Sequence, residues 1–260
     1  MLSVGQLLPY YEKSLHGYRE FILREYLQCK ILQIVFNSPE SARGLAFLGG
    51  TCLRIVHGNT RFSEDIDFDN LTLTESEFEG LSQAIQRELS REGYAVEIKT
   101  VTKGAFHCYI RFPGLLFQES LSGHVEQKIL IQLDTEPQHF PFSPQQFILN
   151  RFDVFTEIPV TPPEILLAQK FFAVLNRKRS KGRDFFDIVF LLSRNHKPNY
   201  DYLNIKLGIG TPQALKEAVF ATCAKIDMAA MARDVAPFLF HAGDSKKVEL
   251  FEAYIRQTNL

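Results

Sequence analysis

The stretch Leu45–Asn70, LAFLGGTCLRIVHGNTRFSEDIDFDN, decides how the rest of the chain is read. Leu45 to Leu48 form an apolar run of the length of a short buried strand, and Gly49 and Gly50 end it. Lacking Cβ atoms, the two glycines let backbone N–H groups approach a phosphate closely, and Thr51 brings a hydroxyl to an expected helix start. Further on, Asp65 and Asp67 alternate with Ile66 and Phe68. On a strand this spacing puts both carboxylates on one face and both apolar side chains on the other. Paired carboxylates are hard oxygen donors for a divalent cation such as Mg²⁺, which is usually held by one or two of them together with substrate phosphates. Asp69 shares the parity but falls at the expected strand end, outside the pair.

Gly49-Gly50-Thr51 followed by Arg61-x-Ser63-x-Asp65-x-Asp67 resembles the signature of the nucleotidyltransferase superfamily, and more closely its AbiEii/AbiGii toxin-type branch. The resemblance implies an α+β fold: a nucleotidyltransferase-like mixed β-sheet flanked by helices, followed by a C-terminal helical bundle. It also implies that Gly49, Gly50 and Thr51 cradle the phosphates of a nucleoside triphosphate, with Arg61 neutralising the leaving pyrophosphate and Ser63 positioning the aspartate strand.

The composition is that of an ordinary soluble globular protein. Of 260 residues, 45% are hydrophobic and 23% charged, enough for a sizeable core in one large or two modest domains. With 23 phenylalanines and no tryptophan, phenylalanine carries the aromatic packing. A net charge of −1 argues against nonspecific coating of nucleic acid, so any RNA contact must be local. Cys29, Cys52, Cys108 and Cys223 form no CxxC pair and read as reduced, buried thiols rather than a zinc or disulfide framework. Polar residues and Pro9 interrupt the N-terminal stretch too early for a signal peptide, and no run approaches a membrane span. The expected location is cytoplasmic, with no membrane partner.

Along the chain, apolar residues at helical spacing predict a long amphipathic helix over about Leu15–Phe36, followed by SPESARG as a loop. Thr74 and Glu77 make a capping box for a helix running to about Glu92, where Gly93 stops it. Alternation predicts strands over Tyr94–Thr102, Ala105–Phe112 and Glu126–Asp134. Asp134 is the candidate third carboxylate, completing the metal shell with Asp65 and Asp67 or taking the proton of the attacking hydroxyl. His107, His124 and His139 lie nearby and are assigned no role. The turn-rich segment from His139 to Glu164 holds the expected domain boundary, giving a nucleotidyltransferase domain over 1–160 and a helical domain over 161–260 that contributes Lys170 and Asp184 to the cleft.

Thr161-Pro162-Pro163-Glu164 reads as a helix start with Thr161 as the cap. Lys170 stands on that helix amid Leu166, Leu167, Phe171, Val174 and Leu175, where an ammonium needs a partner. On the next helix Asp184 and Asp187 stand three apart on one face, able to pair with Lys170 or orient it. A lysine helix followed by an Arg-Asp-x-x-Asp helix is the second signature of the toxin-type family, matched here by Lys170, Ala173 and Arg177, then Arg183, Asp184 and Asp187. By that resemblance Lys170 contacts the nucleotide phosphates and Asp184 supports catalysis. Asn176 to Arg183 is the one dense basic run, which reads either as a solvated interhelical turn or, beside Lys170, as a clamp for RNA or triphosphate phosphates. Four further helices are expected, over about Tyr200–Leu207, Pro212–Lys225, Met228–Phe240 and Lys246–Arg256.

These readings converge on an NTP-dependent nucleotidyltransferase using two Mg²⁺ ions, with Mn²⁺ an acceptable substitute, that moves a nucleoside monophosphate to an acceptor hydroxyl and releases pyrophosphate. The resemblance further implies a toxin of a toxin–antitoxin or phage-defence pair, with a cognate antitoxin as partner and tRNA or another RNA as acceptor. Two other readings stay open: transfer to a small molecule of the antibiotic type, and a non-catalytic module that binds nucleotide or a partner protein. A two-metal phosphohydrolase fits poorly, because the glycine–threonine cradle points to a triphosphate.

Overall fold

Alternation along Lys128–Glu136 places Ile129, Ile131, Leu133 and Thr135 in the core and turns Lys128, Leu130, Gln132 and Asp134 the other way, the pattern of a strand covered on one face. The computed structural model describes residues 1–260. It divides into two compact units, one of Met1–Val56 with Ser63–Val160, the other of His57–Phe62 with Thr161–Leu260.

In the first unit, α1 (Val4–Leu7), α2 (Arg19–Phe36) and α3 (Pro39–Gly44) precede β1 (Leu45–Leu48) and α4 (Gly49–Ile55). There follow β2 (Ile66–Asn70), α5 (Glu75–Arg91), β3 (Glu97–Val101), β4 (Phe106–Pro113), α6 (Leu115–Gln118), β5 (Lys128–Glu136), β6 (Gln145–Arg151) and β7 (Val154–Val160). The strands form one mixed seven-stranded sheet in the order β3-β4-β5-β2-β1-β7-β6. β2 runs parallel to β5 and β1 parallel to β7, while the other neighbours are antiparallel. Helices α2 and α5 cover one face: Phe36 meets Phe68 with ring centroids 5.5 Å apart, and Phe78 meets Phe106 at 5.3 Å. The chain is therefore α+β, with a mixed sheet flanked by helices. No helix is long and apolar enough to cross a membrane, and all four cysteines are buried and unpaired.

Several local expectations hold. Thr74 and Glu77 form the capping box of α5, and Gly93 follows that helix at φ 93°. Others do not. SPESARG is helical because Ser38 caps it and Pro39 sits in the first turn, where its missing N–H costs nothing. The segment read as turn-rich contains the β6–β7 hairpin, turned at Phe152 with φ 57°. Thr161 is not the cap: Pro162 occupies that position, and the Thr161 hydroxyl is buried without a partner.

Glu25 of α2 is wholly buried and holds the glycine helix to the sheet. It accepts from Arg54 Nε of α4 at 2.7 Å, meets Arg151 Nη2 of β6 at 2.6 Å and accepts from the Tyr11 hydroxyl at 2.8 Å. Burial by itself would raise its pKa, but Arg54 and Arg151 outweigh burial and hold the carboxyl below its usual range. Because the folded pKa is depressed, this contribution to stability is complete above the unfolded value and is lost as pH falls through the folded one. Glu25→Gln is expected to cost about 3 kcal/mol, read from urea unfolding at pH 7, because two arginines then lose their counter-charge. The deficit against wild type should shrink in acid.

The second unit is a bundle of α7 (Pro163–Asn176), α8 (Gly182–Ser193), α9 (Tyr200–Leu207), α10 (Pro212–Cys223), α11 (Met228–Val235), α12 (Lys246–Glu249) and α13 (Phe251–Gln257). The helix expected to reach Phe240 ends at Val235, where Ala236-Pro237-Phe238 tightens into a 3-10 turn, and the last expected helix breaks at Leu250. Gly182 lets α8 start against α11: a Cβ there would lie 1.9 Å from the Met231 carbonyl oxygen. Into this bundle comes His57–Phe62, whose Thr60 carbonyl accepts from Phe240 N at 3.0 Å and whose Phe62 N donates to the Phe238 carbonyl at 2.8 Å.

Candidate active site

In the first unit the site is built on β1, α4 and β2. Leu48 lies opposite Asp67 in the antiparallel register, so the turn into α4 falls on the aspartate strand. Gly49 makes that turn at φ 79°, and a Cβ on it would lie 2.2 Å from Asp67 Oδ2. Only glycine tolerates both that backbone conformation and so close an approach. The diglycine and the carboxylate thus form one compact corner.

The aspartates are arranged differently from expectation. Of the pair only Asp67 lies within β2, which also includes Asp69; Asp65 precedes the strand, and its carbonyl accepts the Thr51 hydroxyl. Thr51 is fully buried, so its side chain ties α4 to the approach of β2 instead of presenting a hydroxyl to phosphate. The Ser63 carbonyl accepts from Gln28 Nε2 of α2 at 3.1 Å, which helps to fix the same approach. Asp69 is buried and accepts from Gln138 N at 2.9 Å, consistent with its exclusion from the pair.

Asp134 stands beside Asp67 in the parallel register of β2 and β5, on the same face. Its carboxylate is held by His107 Nδ1 at 2.6 Å and by Gln132 Nε2 at 2.8 and 2.9 Å. Asp65, Asp67 and Asp134 accordingly do not converge into a three-ligand metal cluster. Asp65 lies ahead of the strand, and the Asp134 carboxylate is engaged by His107, its partner across β4 and β5. The donor set still fits a hard divalent cation, being oxygen donors alone on adjacent positions beside a glycine corner. The sequence assigns no role to His107 or Gln132: Gln132 shares the parity of Asp134 along β5, whereas His107 reaches it only through the pairing of β4 with β5.

In the second unit Lys170, Asp184 and Asp187 come together as the spacing suggested. Lys170 Nζ lies 3.0 Å from Asp184 Oδ1 and 2.7 Å from Asp187 Oδ2. Burial would lower the lysine pKa, but Asp187 and then Asp184 outweigh it and keep the ammonium charged. Arg177 closes the chain of charges, with Nη1 donating to Asp184 Oδ2 at 2.8 Å. It is therefore a member of this network rather than of an open basic clamp. Arg183 packs its guanidinium over the Phe238 ring at 4.6 Å. Lys178, Arg179 and Lys181 are exposed, as Arg177 is, and stand outside that network.

Arg61 departs most from expectation. It is 1% exposed and grips Asp187 with both arms of its fork, Nε to Oδ1 at 2.7 Å and Nη2 to Oδ2 at 2.6 Å. Its Nη1 donates to the Phe62 carbonyl at 2.9 Å. A guanidinium so engaged organises the Asp187 network and is not presented to pyrophosphate. Asn59, which carried no sequence signal, donates to the same Asp187 Oδ1 at 2.8 Å.

The chain aligns over 92% of its length with the crystal structure of JHP933 from Helicobacter pylori, covering 92% of that chain, with a TM-score of 0.55 and 17% identity. A second H. pylori structure, described as a candidate nucleotidyltransferase, matches with a TM-score of 0.55 and 16% identity over 92% of this chain and 95% of that one. At such identities the likeness is one of fold. No curated protein is similar enough to register as a relative. The family model for the nucleotidyl transferase AbiEii toxin of type IV toxin–antitoxin systems matches residues 30–241, and the chain belongs to that family.

Proposed function

We propose that this protein moves a nucleoside monophosphate from a nucleoside triphosphate to a hydroxyl of an RNA acceptor, with tRNA as the acceptor the resemblance favours. It acts as a cytoplasmic toxin held in check by a cognate antitoxin. The observation that carries the reading is the corner in which Gly49 lies against the Asp67 carboxylate, with Asp134 in register beside it. Backbone amides freed of side chains beside adjacent carboxylates suit a triphosphate and its cation. Asp67 and Asp65 would hold Mg²⁺, which when bound neutralises phosphate charge and favours loss of the acceptor's proton. The acceptor oxygen bonds to the α-phosphorus as the bond to the β-bridging oxygen breaks. Pyrophosphate leaves, and the hydroxyl proton passes to Asp134, which His107 and Gln132 orient. Lys170, kept charged by Asp187 and Asp184, is the cation that the resemblance assigns to the phosphates.

The direct test incubates the protein with Mg²⁺, total tRNA and each α-labelled nucleoside triphosphate in turn. Label entering RNA supports the reading and names the nucleotide; label entering only small molecules would replace the acceptor. Neutralising Lys178, Arg179 and Lys181 together should raise the KM for RNA while leaving that for triphosphate nearly unchanged. The slope of log affinity against log salt should flatten by about 2 for a single-stranded acceptor. Equal losses for both substrates would count against an RNA clamp.

A further inference from the structure

The face of β4 that looks away from α2 and α5 carries His107, Tyr109 and Arg111 at alternate positions, while Cys108, Ile110 and Phe112 point into the core. The His107 and Tyr109 rings have centroids 6.3 Å apart at an interplanar angle of 31°, and the Arg111 guanidinium carbon lies 5.7 Å from the Tyr109 ring centroid. The row is connected to the carboxylates by register and by contact: His107 pairs with Asp134 and meets its carboxylate through Nδ1, and Asp134 pairs with Asp67. On the other side Lys99 of β3, exposed to solvent, lies opposite Tyr109.

We propose that this ladder is the platform on which the unpaired nucleotides at the reacting end of the RNA acceptor stack, an inference that rests on the RNA-acceptor reading above. Alternate residues on one face of a strand stand about 7 Å apart, so each position offers its plane to a different base. Stacking on aromatic and guanidinium planes is tolerant of base identity, and the arginine adds charge for the neighbouring phosphate. Glu97, the acidic neighbour opposite Arg111, is neutralised by Lys128 at 2.8 Å, so the charge of Lys99 and Arg111 is not cancelled locally. Leu130, 37% exposed, is the one large aliphatic side chain among the exposed hydrophobics of β3, β4 and β5, too little apolar area for a protein partner. The path from ladder to Asp134 to Asp67 places a terminal hydroxyl at the carboxylates while the bases behind it lie on β4.

The test is binding of a fluorescent single-stranded oligoribonucleotide with a free 3′ hydroxyl, followed by anisotropy, together with transfer kinetics on RNA. Tyr109→Ala should weaken oligoribonucleotide binding about tenfold or more and raise the KM for RNA in proportion, with the KM for triphosphate little moved. Tyr109→Phe, which keeps the ring, should restore binding. Unfolding midpoints of both variants control for folding. Unchanged oligoribonucleotide binding in Tyr109→Ala, or a phenylalanine variant as weak as the alanine one, overturns the platform while transfer by wild type leaves the enzymatic reading standing. Wild type that binds triphosphate but neither binds nor labels RNA overturns the acceptor reading, and the platform with it.

Discussion

Asp67→Ala is expected to lower nucleotidyl transfer on the order of a thousandfold while leaving the folded state as stable as wild type. The loss follows from the several kcal/mol that cation-assisted stabilisation of a transferring phosphoryl group supplies, which converts to about three decades in rate. The stability follows from placement. Asp67 sits mid-sheet between Leu48 and Asp134, so its backbone hydrogen bonds survive truncation, and its side chain lies on the half-exposed face away from Phe68. Removing one of two in-register carboxylates also relieves like-charge repulsion, which offsets the contacts that the side chain gives up. Initial rates with α-labelled triphosphate and a urea titration decide the matter. Turnover within tenfold of wild type would remove Asp67 from the site, and a collapse of the fold would make it a structural residue.

Asp187→Ala should act in the opposite way, as a stability defect first. The carboxylate is wholly buried and is the shared counter-ion of Arg61 and Lys170, with Asn59 donating to it as well. Truncation strands an arginine that is itself 1% exposed, beside a half-buried lysine left with Asp184 alone. Breaking such a pair from one side costs about 3–5 kcal/mol. Asp187→Asn keeps the shape and some hydrogen bonds but not the charge, and should fall between wild type and alanine. The pH dependence has a defined sign on each side. Burial opposes the ionised carboxyl, but Arg61 and Lys170 outweigh it and lower the Asp187 pKa, so its contribution is present above the unfolded value and lost in acid. Lys170 is shifted upward, so its contribution is present below the unfolded lysine value and lost as pH rises through the folded one. The stability gap between wild type and Asp187→Ala should therefore be widest between these limits and narrow at both extremes. A gap below 1 kcal/mol at pH 7 would contradict the burial of a working ion pair.

The two variants separate what was written in short stretches of sequence from what needed the folded chain. The glycine corner, the alternation of Asp67 with Ile66 and Phe68, the Thr74–Glu77 cap and the Lys170 helix facing Asp184 and Asp187 were all legible, because each depends on side-chain periodicity or capping within a few residues. The β6–β7 hairpin was hidden because prolines and polar residues mask its alternation. Pro39 likewise disguised a helix start as a loop.

What remained illegible shares one cause: pairing between distant segments. Asp134 becomes the neighbour of Asp67, and His107 the neighbour of Asp134, only through the register of three strands, which no local pattern specifies. Arg61 reads as a phosphate ligand from its motif, yet it lies against Asp187, 126 residues away, and its burial there sets its role. By itself the sequence determined the chemistry available, with glycines for close approach, carboxylates for a cation and a lysine for charge. Tertiary structure decided which of those groups face one another and which are spent on holding the fold, because burial and register set the cost of every charge and neither is a local property.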